Sequence, residues 1–470
     1  MNPAASSPAP RQSLLRGVLK GAALLFLVLL AAHALNVFRH HRAIDRLEDA
    51  VRAKGEPLTL VELAAAYGPI PETNNAAALL LALWKERDPD YWQAFLDGKA
   101  ELPAQRPTGL DPKVPFLGNK SQPLPPGGQL SPESLATAQA HLRAQAGHLQ
   151  GLQAALTRPQ ARFPVRLTNG YTALLPHLAA LKGEAQLLRL ESAVAVEQAD
   201  PDRAVRALAG VARVGNLLAE EPTLISQLVR LACGSITMAG TEHLLTRQTL
   251  SAPQLDALAA IADSLQTTGA LRQSLLGERA FAVSVGGLTS AQFSTAMDAS
   301  GGGLSMARSL GLLAGDQRLL LETLTASINL ADQPLPVLLR AYADLQDKAL
   351  TQARRFPPRI LTSLLLPALE KIPEKLASHE ARRRALLTAI AIERHRLAHN
   401  GQLPGRLEDL APRFLPTVPQ DPFAEGPLLY RTLKTGYVVY AVGVDLQDDG
   451  GRERDNKAKG PFDVPFTVKR

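Results

Sequence analysis

The stretch ESAVAVEQADPDRAVRALAG, residues 191–210, decides the fold: two Ala- and Val-rich helical halves flank the turn residues Asp200-Pro201-Asp202. Working outward, equivalent punctuation stands at Glu221-Pro222-Thr223, Ser251-Ala252-Pro253 and Asp332-Gln333-Pro334. These breaks divide residues 131–400 into helices of about 15 to 28 residues. Ser131-Pro132-Glu133 opens the first of them, with Pro at a helix start where its missing N–H costs nothing. Hydrophobic residues make up 46% of the 470-residue chain and aromatics only 4%, so Leu and Ala dominate, and both lose little freedom in a helix. The expectation is a mainly α protein, an antiparallel helical array.

Around Asp200, Glu191, Ala195 and Ala199 before the turn and Ala204 after it resemble a tetratricopeptide hairpin. The period does not recur cleanly, so the array is read as repeat-like. Stacked helix pairs bury one face and offer a concave surface to a protein partner, whose identity the sequence does not give. An irregular helical bundle without a partner is the competing reading.

At the other end of the chain, GAALLFLVLLAAHALNVF (residues 21–38) carries only His33 and Asn36 as polar interruptions. As a helix it covers about 27 Å, just short of a hydrocarbon core of about 30 Å. It reads either as an uncleaved transmembrane anchor or as a signal peptide cut after Ala34, following Arg11, Arg16 and Lys20. Arg39, His40, His41 and Arg42 follow at once and favour the anchor. Arg39, Arg42 and Arg46 nearly balance the basic residues that precede the segment. A short basic tail still favours residues 1–20 in the cytoplasm and the body on the other, periplasmic, side of the cell membrane. No later stretch reaches 18 apolar residues, so at most one pass is expected.

Residues 43–97 read as a stalk and short helices. Ala43 to Lys54 ends at Gly55, Thr59 and Glu62 have capping-box spacing, and a helix is expected from about Asn74 to Arg87. Residues 98–130 are rich in Pro and Gly, Pro123 to Gly128 above all, and read as a linker before the array at 131–379. Gly286-Gly287 and Gly301-Gly302-Gly303 lack the Gly-Lys-Ser/Thr ending of a phosphate-cradling loop and read as flexible.

From Glu380 the pattern changes to a helix ending at Asn400-Gly401, then strand-like segments at Leu428 to Leu433, Tyr437 to Gly443 and Phe462 to Val468. This small α+β unit spans 380–470. The run Ile392 to Leu397, Asn400-Gly401, Pro404, Leu407 and Leu410 comes first. Val418-Pro419-Gln420-Asp421-Pro422-Phe423, Leu428-Leu429-Tyr430 and Tyr440 to Asp445 follow. Together they resemble the C-terminal domain of the type II secretion major (G-type) pseudopilins.

That resemblance implies a calcium-binding loop after the Gly-x-Asp element, with Asp445 at the family's acidic position. Asp448, Asp449 and Asp455 flank Gly450-Gly451 close by, and several carboxylates beside glycines suit a hard cation with six to eight oxygen ligands. The competing reading is an Asp-Gly turn with solvated charges. A pseudopilin also carries a glutamate five residues into its N-terminal helix, whereas Gly21 is followed by Ala22-Ala23-Leu24-Leu25-Phe26, and residues 39–379 separate the two ends. The resemblance therefore implies a fold and an ion site, not assembly into a fibre.

The formal charge of +7 is spread along the chain without a basic block, so nucleic acid is not an expected partner. Arg382 to Arg384 reads as the wet face of a helix, and Cys233, the only cysteine, as a buried side chain that permits no intramolecular disulfide. His395 and His399 have metal-compatible spacing without a His-Glu-x-x-His order, His379-Glu380 lacks a second histidine, and no nucleophile elbow or dinucleotide fingerprint is present. The sequence favours a non-enzymatic, membrane-anchored envelope protein of structural or interaction type, with no catalytic residue to nominate. An exported hydrolase with a site assembled from distant residues is the alternative, and a pocket with convergent His and carboxylate groups would favour it.

Overall fold

In the computed structural model α1 (Pro10–Ala53) is one uninterrupted helix, so the apolar segment and the expected stalk form a single rod. The structure describes residues 10–105, 114–117, 124, 128–285, 311, 313–355, 359–452 and 462–470, with side chains from residue 16 onward. The glycines at 286–287 and 301–303, most of the 123–128 run and Asp455 lie outside them. Leu24 to Leu30 of α1 are exposed throughout, the pattern of a helix that is apolar on every side. It stops where Gly55 takes a left-handed φ of 70°.

The chain then enters the body through α2 (Leu60–Ala66), which starts on the Thr59/Glu62 capping box. Next come α3 (Ala76–Arg87), capped by Asn75, and α4 (Pro89–Asp97). Ser131 caps α5 (Pro132–Ala144), but the long helix expected there breaks at Gln145, and α6 (Ala146–Ala155) follows. The break lets Gly151 approach Leu83 so closely that a Cβ would sit 2.9 Å from its Cδ1. Among the described residues of 98–130, Val114 and Leu130 are buried, and Arg189 stacks over Phe116.

Helices α7 (Pro176–Glu197), α8 (Pro201–Asn216) and α9 (Leu224–Arg247) pack in succession, and Asp200 caps α8 by accepting from the Arg203 N–H. Then follow α10 (Ala252–Ser264), α11 (Ala270–Val285), α12 (Leu313–Leu330), α13 (Leu335–Ala353), α14 (Ile360–Leu369) and α15 (Ile372–Ala398). Of the helices after residue 130, α5, α6, α10 and α14 are shorter than the expected 15 residues.

After α15 the chain reverses on Asn400 and Gly401, both left-handed, and the Gly401 N–H returns to the Arg396 carbonyl at 2.8 Å. Strands β1 (Leu429–Leu433), β2 (Gly436–Ala441) and β3 (Val464–Val468) form an antiparallel sheet in that order. Tyr430 faces Val439, and Val439 faces Phe466. Gly436 is required at the hairpin: its φ is 104° and a Cβ would meet the Val468 carbonyl at 1.9 Å.

The sheet does not form a core of its own. Tyr437, Val439, Phe466 and Val468 share one apolar cluster with Leu208 of α8, Leu245 of α9, Leu258 of α10 and Ile390 of α15. Hydrogen bonds lock the same joint, since the Thr467 N–H donates to Glu242 of α9 at 2.7 Å and the Tyr437 hydroxyl to Glu393 of α15 at 3.0 Å.

Candidate functional site

The acidic loop after β2 is built on a buried carboxylate upstream. Asp421 accepts from the Phe423 N–H at 2.7 Å and the Val442 N–H at 2.9 Å, fixing the exit of β2. Beyond it, Asp445 accepts from the Gln447 N–H at 3.2 Å in an Asx turn. Asp448 accepts from the Tyr440 hydroxyl at 2.9 Å and the Gly450 N–H at 2.8 Å. Gly450 and Gly451 are both left-handed, with φ of 76° and 77°, which turns the Gly451 N–H onto Asp463 Oδ2 at 2.7 Å.

Asp463 is the member that sequence reading missed. It is buried and its Oδ1 has no hydrogen-bond partner. Burial raises its carboxyl above the ordinary range, the Gly451 and Asp449 N–H groups pull the other way, and the Asp448 and Asp449 charges add a smaller upward push. Its signal was an acid opening the last strand-like segment. Among the described residues no three His, Cys, Asp or Glu side chains converge on one point as a ready-made metal centre. The donor chemistry fits a hard cation in part: an orphaned carboxylate oxygen beside two further carboxylates. Of the four sequence candidates, Asp448 and Asp449 are close enough to act on Asp463, Asp445 is engaged in its own turn, and Asp455 is outside the described residues.

A second constellation has no sequence signature. Tyr171, Thr223, Leu224, Glu278 and Phe281 line a cleft of about 230 Å³ between the entry to α7 and helices α9 and α11. The Tyr171 hydroxyl lies 3.4 Å from Glu278 Oε2. Burial raises the Glu278 carboxyl to about 7, opposed by the Leu224 N–H and the Tyr171 hydroxyl. Behind the wall, Thr223 and Ser226 share a 2.5 Å hydrogen bond, Ser226 donates to Glu221, and His177 Nε2 donates to the same carboxylate at 3.0 Å. His177 is fully buried and stacks on Phe163 at 4.4 Å. Serine and histidine both bond to Glu221 and not to each other, so the geometry of a nucleophilic triad is not met.

The remaining sequence candidates have structural roles. His395 and His399 stack at 3.9 Å, with Nδ1 atoms on the Gln402 and His395 carbonyls. His379 is buried and donates to the Leu265 carbonyl at 3.0 Å. Cys233 is buried and its thiol is pushed up to about 12, a poor nucleophile. Arg382 to Arg384 corrects the expectation of a solvated face: Arg382 pairs with Glu242, while Arg383 and Arg384 share Glu380. A helix so close to α9 and the 420s loop leaves its arginines partly covered, and they need these partners.

The fold thus defines a class: a mainly helical body with one N-terminal helix long and apolar enough to cross a membrane, and a three-stranded antiparallel sheet near the C-terminus. No protein-family model, curated protein or solved structure matches the chain.

Proposed function

We propose that this protein is a membrane-anchored envelope scaffold: α1 spans the cell membrane once and holds a helical, repeat-like body on the periplasmic side, where it binds a protein partner. One observation carries the reading. The apolar half of α1 is exposed on all sides, while its other half enters the core, with Val51 packed on Leu321 and Leu58. Immediately after the helix, the Glu56 carboxylate pairs with Arg272 and Arg279 of α11. An anchor fused this firmly to a folded body suits a protein that displays a surface at a fixed height.

The C-terminal unit is proposed to be pseudopilin-like, supported by the order helix, hairpin and third strand around an acidic loop. We propose calcium as a ligand of the acidic loop, supported by the unpartnered Asp463 Oδ1 and the charges of Asp448 and Asp449 that act on it, although these side chains do not converge on one point. A melting temperature unchanged between chelator and millimolar calcium sinks this part alone.

A second reading, an exported hydrolase, is favoured by the Glu278 cleft, since a carboxyl raised to about 7 suits acid–base work at neutral pH. Against it, His177 is sealed in the core, and beside Glu278 the cleft walls carry only the Tyr171 and Thr223 hydroxyls among apolar side chains. Proteolysis of intact and permeabilised cells, with N-terminal sequencing, tests the anchor and its orientation. Protection in intact cells, cleavage only after the outer barrier is opened and a retained residue 21–38 segment are expected. A mature chain beginning at His33 or beyond overturns the anchor.

A further inference from the structure

We infer that the end of the body nearest the apolar half of α1 rests on the bilayer, its arginines Arg39, Arg42, Arg354 and Arg355 contacting anionic lipid headgroups. The inference rests on the anchor reading and extends it to the body.

The argument is a chain of contacts. Helices α1 and α12 run side by side in the same direction. A Cβ on Gly311 would sit 2.9 Å from Val37, one on Gly315 would sit 3.2 Å from His40, and at the far end Lys54 Nζ donates to Asn329 at 3.0 Å. The start of α12 is therefore level with the end of the apolar run. His40 stands two residues past Phe38, about 3 Å along the axis, inside a polar headgroup layer about 5 to 8 Å deep.

From there the contacts reach α14. Asp316, next to Gly315, accepts from the Leu361 N–H at 2.7 Å and the Thr362 N–H at 3.0 Å, so a helix from elsewhere in the chain caps α14. The Arg359 N–H donates to the Ala353 carbonyl at 2.9 Å, which brings the end of α13 to the same level. Arg354 and Arg355 are exposed there, as are Arg39 and Arg42 on α1, and no ion pair engages any of these four arginines among the described residues, whereas the half-buried Arg359 faces Asp316. The nearby acids are committed: Asp316 to α14, and Glu322 to Arg318 at 2.8 Å. Ile360, 46% exposed, projects from the same edge. Unpaired arginines around an apolar side chain, at the depth of the headgroups, match an anionic lipid surface.

The test uses the full-length protein in lipid nanodiscs of phosphatidylcholine with or without phosphatidylglycerol. An environment-sensitive fluorophore is placed on Ile360→Cys, Leu27→Cys or Leu433→Cys in separate preparations. Native Cys233 is left in place because it is buried. Quenching by headgroup-labelled lipid is expected at Ile360, rising with phosphatidylglycerol and returning to the phosphatidylcholine level in Arg354→Gln/Arg355→Gln. Chain-labelled lipid is expected to quench Leu27, and neither lipid Leu433. If Leu27 is quenched and Ile360 is not, the body stands off the membrane and the inference fails while the anchor stands. If Leu27 is unquenched, the anchor reading itself falls. A blue-shifted Ile360 probe with no lipid quenching means a second copy covers this edge, and quenching indifferent to lipid charge and to the double variant overturns the role of the arginines.

Discussion

The Glu56 carboxylate lies 2.9 Å from the guanidinium of Arg279, a side chain with no exposed surface. Arg279 also donates to the Pro57 carbonyl at 3.2 Å, while its Nε and Nη1 have no partner. The joint between α1 and the body is thus a buried ion pair with a single main counter-charge, and desolvation lowers the arginine's pKa against the pull of Glu56.

Glu56→Gln is expected to lower the stability of the detergent-solubilised protein by about 3 to 5 kcal/mol, because it strands a buried guanidinium. Replacing both residues, Glu56→Gln with Arg279→Met, should recover most of that loss. Denaturant titration of the two variants distinguishes a stranded charge from general loosening.

Gly277→Ala should destabilise by about 1 to 3 kcal/mol or more, since the new methyl overlaps backbone that cannot swing away. A Cβ there would sit 1.7 Å from the Pro222 carbonyl oxygen, forcing α11 off the turn that begins α9. Gly183→Ala, at a site with nothing within 4 Å, is the control and should be neutral or slightly stabilising.

Glu278 gives a pH dependence of definite sign. Its carboxyl titrates near 7 in the folded protein and at 4.5 ordinarily, so between these values the folded state holds a proton that the unfolded chain has released. Its contribution is complete below pH 4.5 and is lost as pH rises through about 7. Glu278→Gln should flatten the melting-temperature profile between pH 5 and 8. Glu221 has the opposite sense: burial raises its carboxyl, but His177 and its other hydrogen-bond partners outweigh that and leave it lowered. Its contribution is present above pH 4.5 and disappears in stronger acid.

Asp463→Asn should raise the melting temperature in chelator, because it removes a buried carboxylate crowded by Asp448 and Asp449 while an amide oxygen still accepts from Gly451. The same variant should lose any upward shift on adding calcium. A calcium shift of wild-type size in this variant removes Asp463 from the site.

Tyr437→Phe should cost about 1.5 to 3 kcal/mol, the value of a hydrogen bond to a charged acceptor. The hydroxyl donates to Glu393 at 3.0 Å, and Arg396 and Arg470 bind the same carboxylate. Thermal and denaturant unfolding of the variant beside the wild type checks it.

Much of this architecture was legible from local chemistry. Thr59 with Glu62, Ser131 with Pro132, Asp200 with Pro201 and Asn400 with Gly401 act on neighbours within a few residues, so their sequence spacing is their geometry. The hairpin around Gly436 was readable for the same reason. What escaped depends on distance along the chain: Tyr171 meets Glu278 across 107 residues, and nothing in either neighbourhood announces the other. The acidic loop falls between these cases. Its Asp-Gly spacing was visible, but burial of Asp463 arises from the return of β3 to β2, which spacing cannot express. The arginines at 382–384 misled for a related reason, as polarity alone does not reveal that Glu242 and Glu380 are waiting for them.

The bond from Thr467 to Glu242 joins residues 225 positions apart, and it closes the cluster that also contains α8, α10 and α15. Such a core gains little until its most distant partner arrives, so contacts of this separation form late. During synthesis, α7 to α10 would wait with the apolar faces they turn to this cluster uncovered until β3 emerged. That interval is when the protein most needs protection from aggregation, and it ends only with strand pairing at Phe466 and Val468.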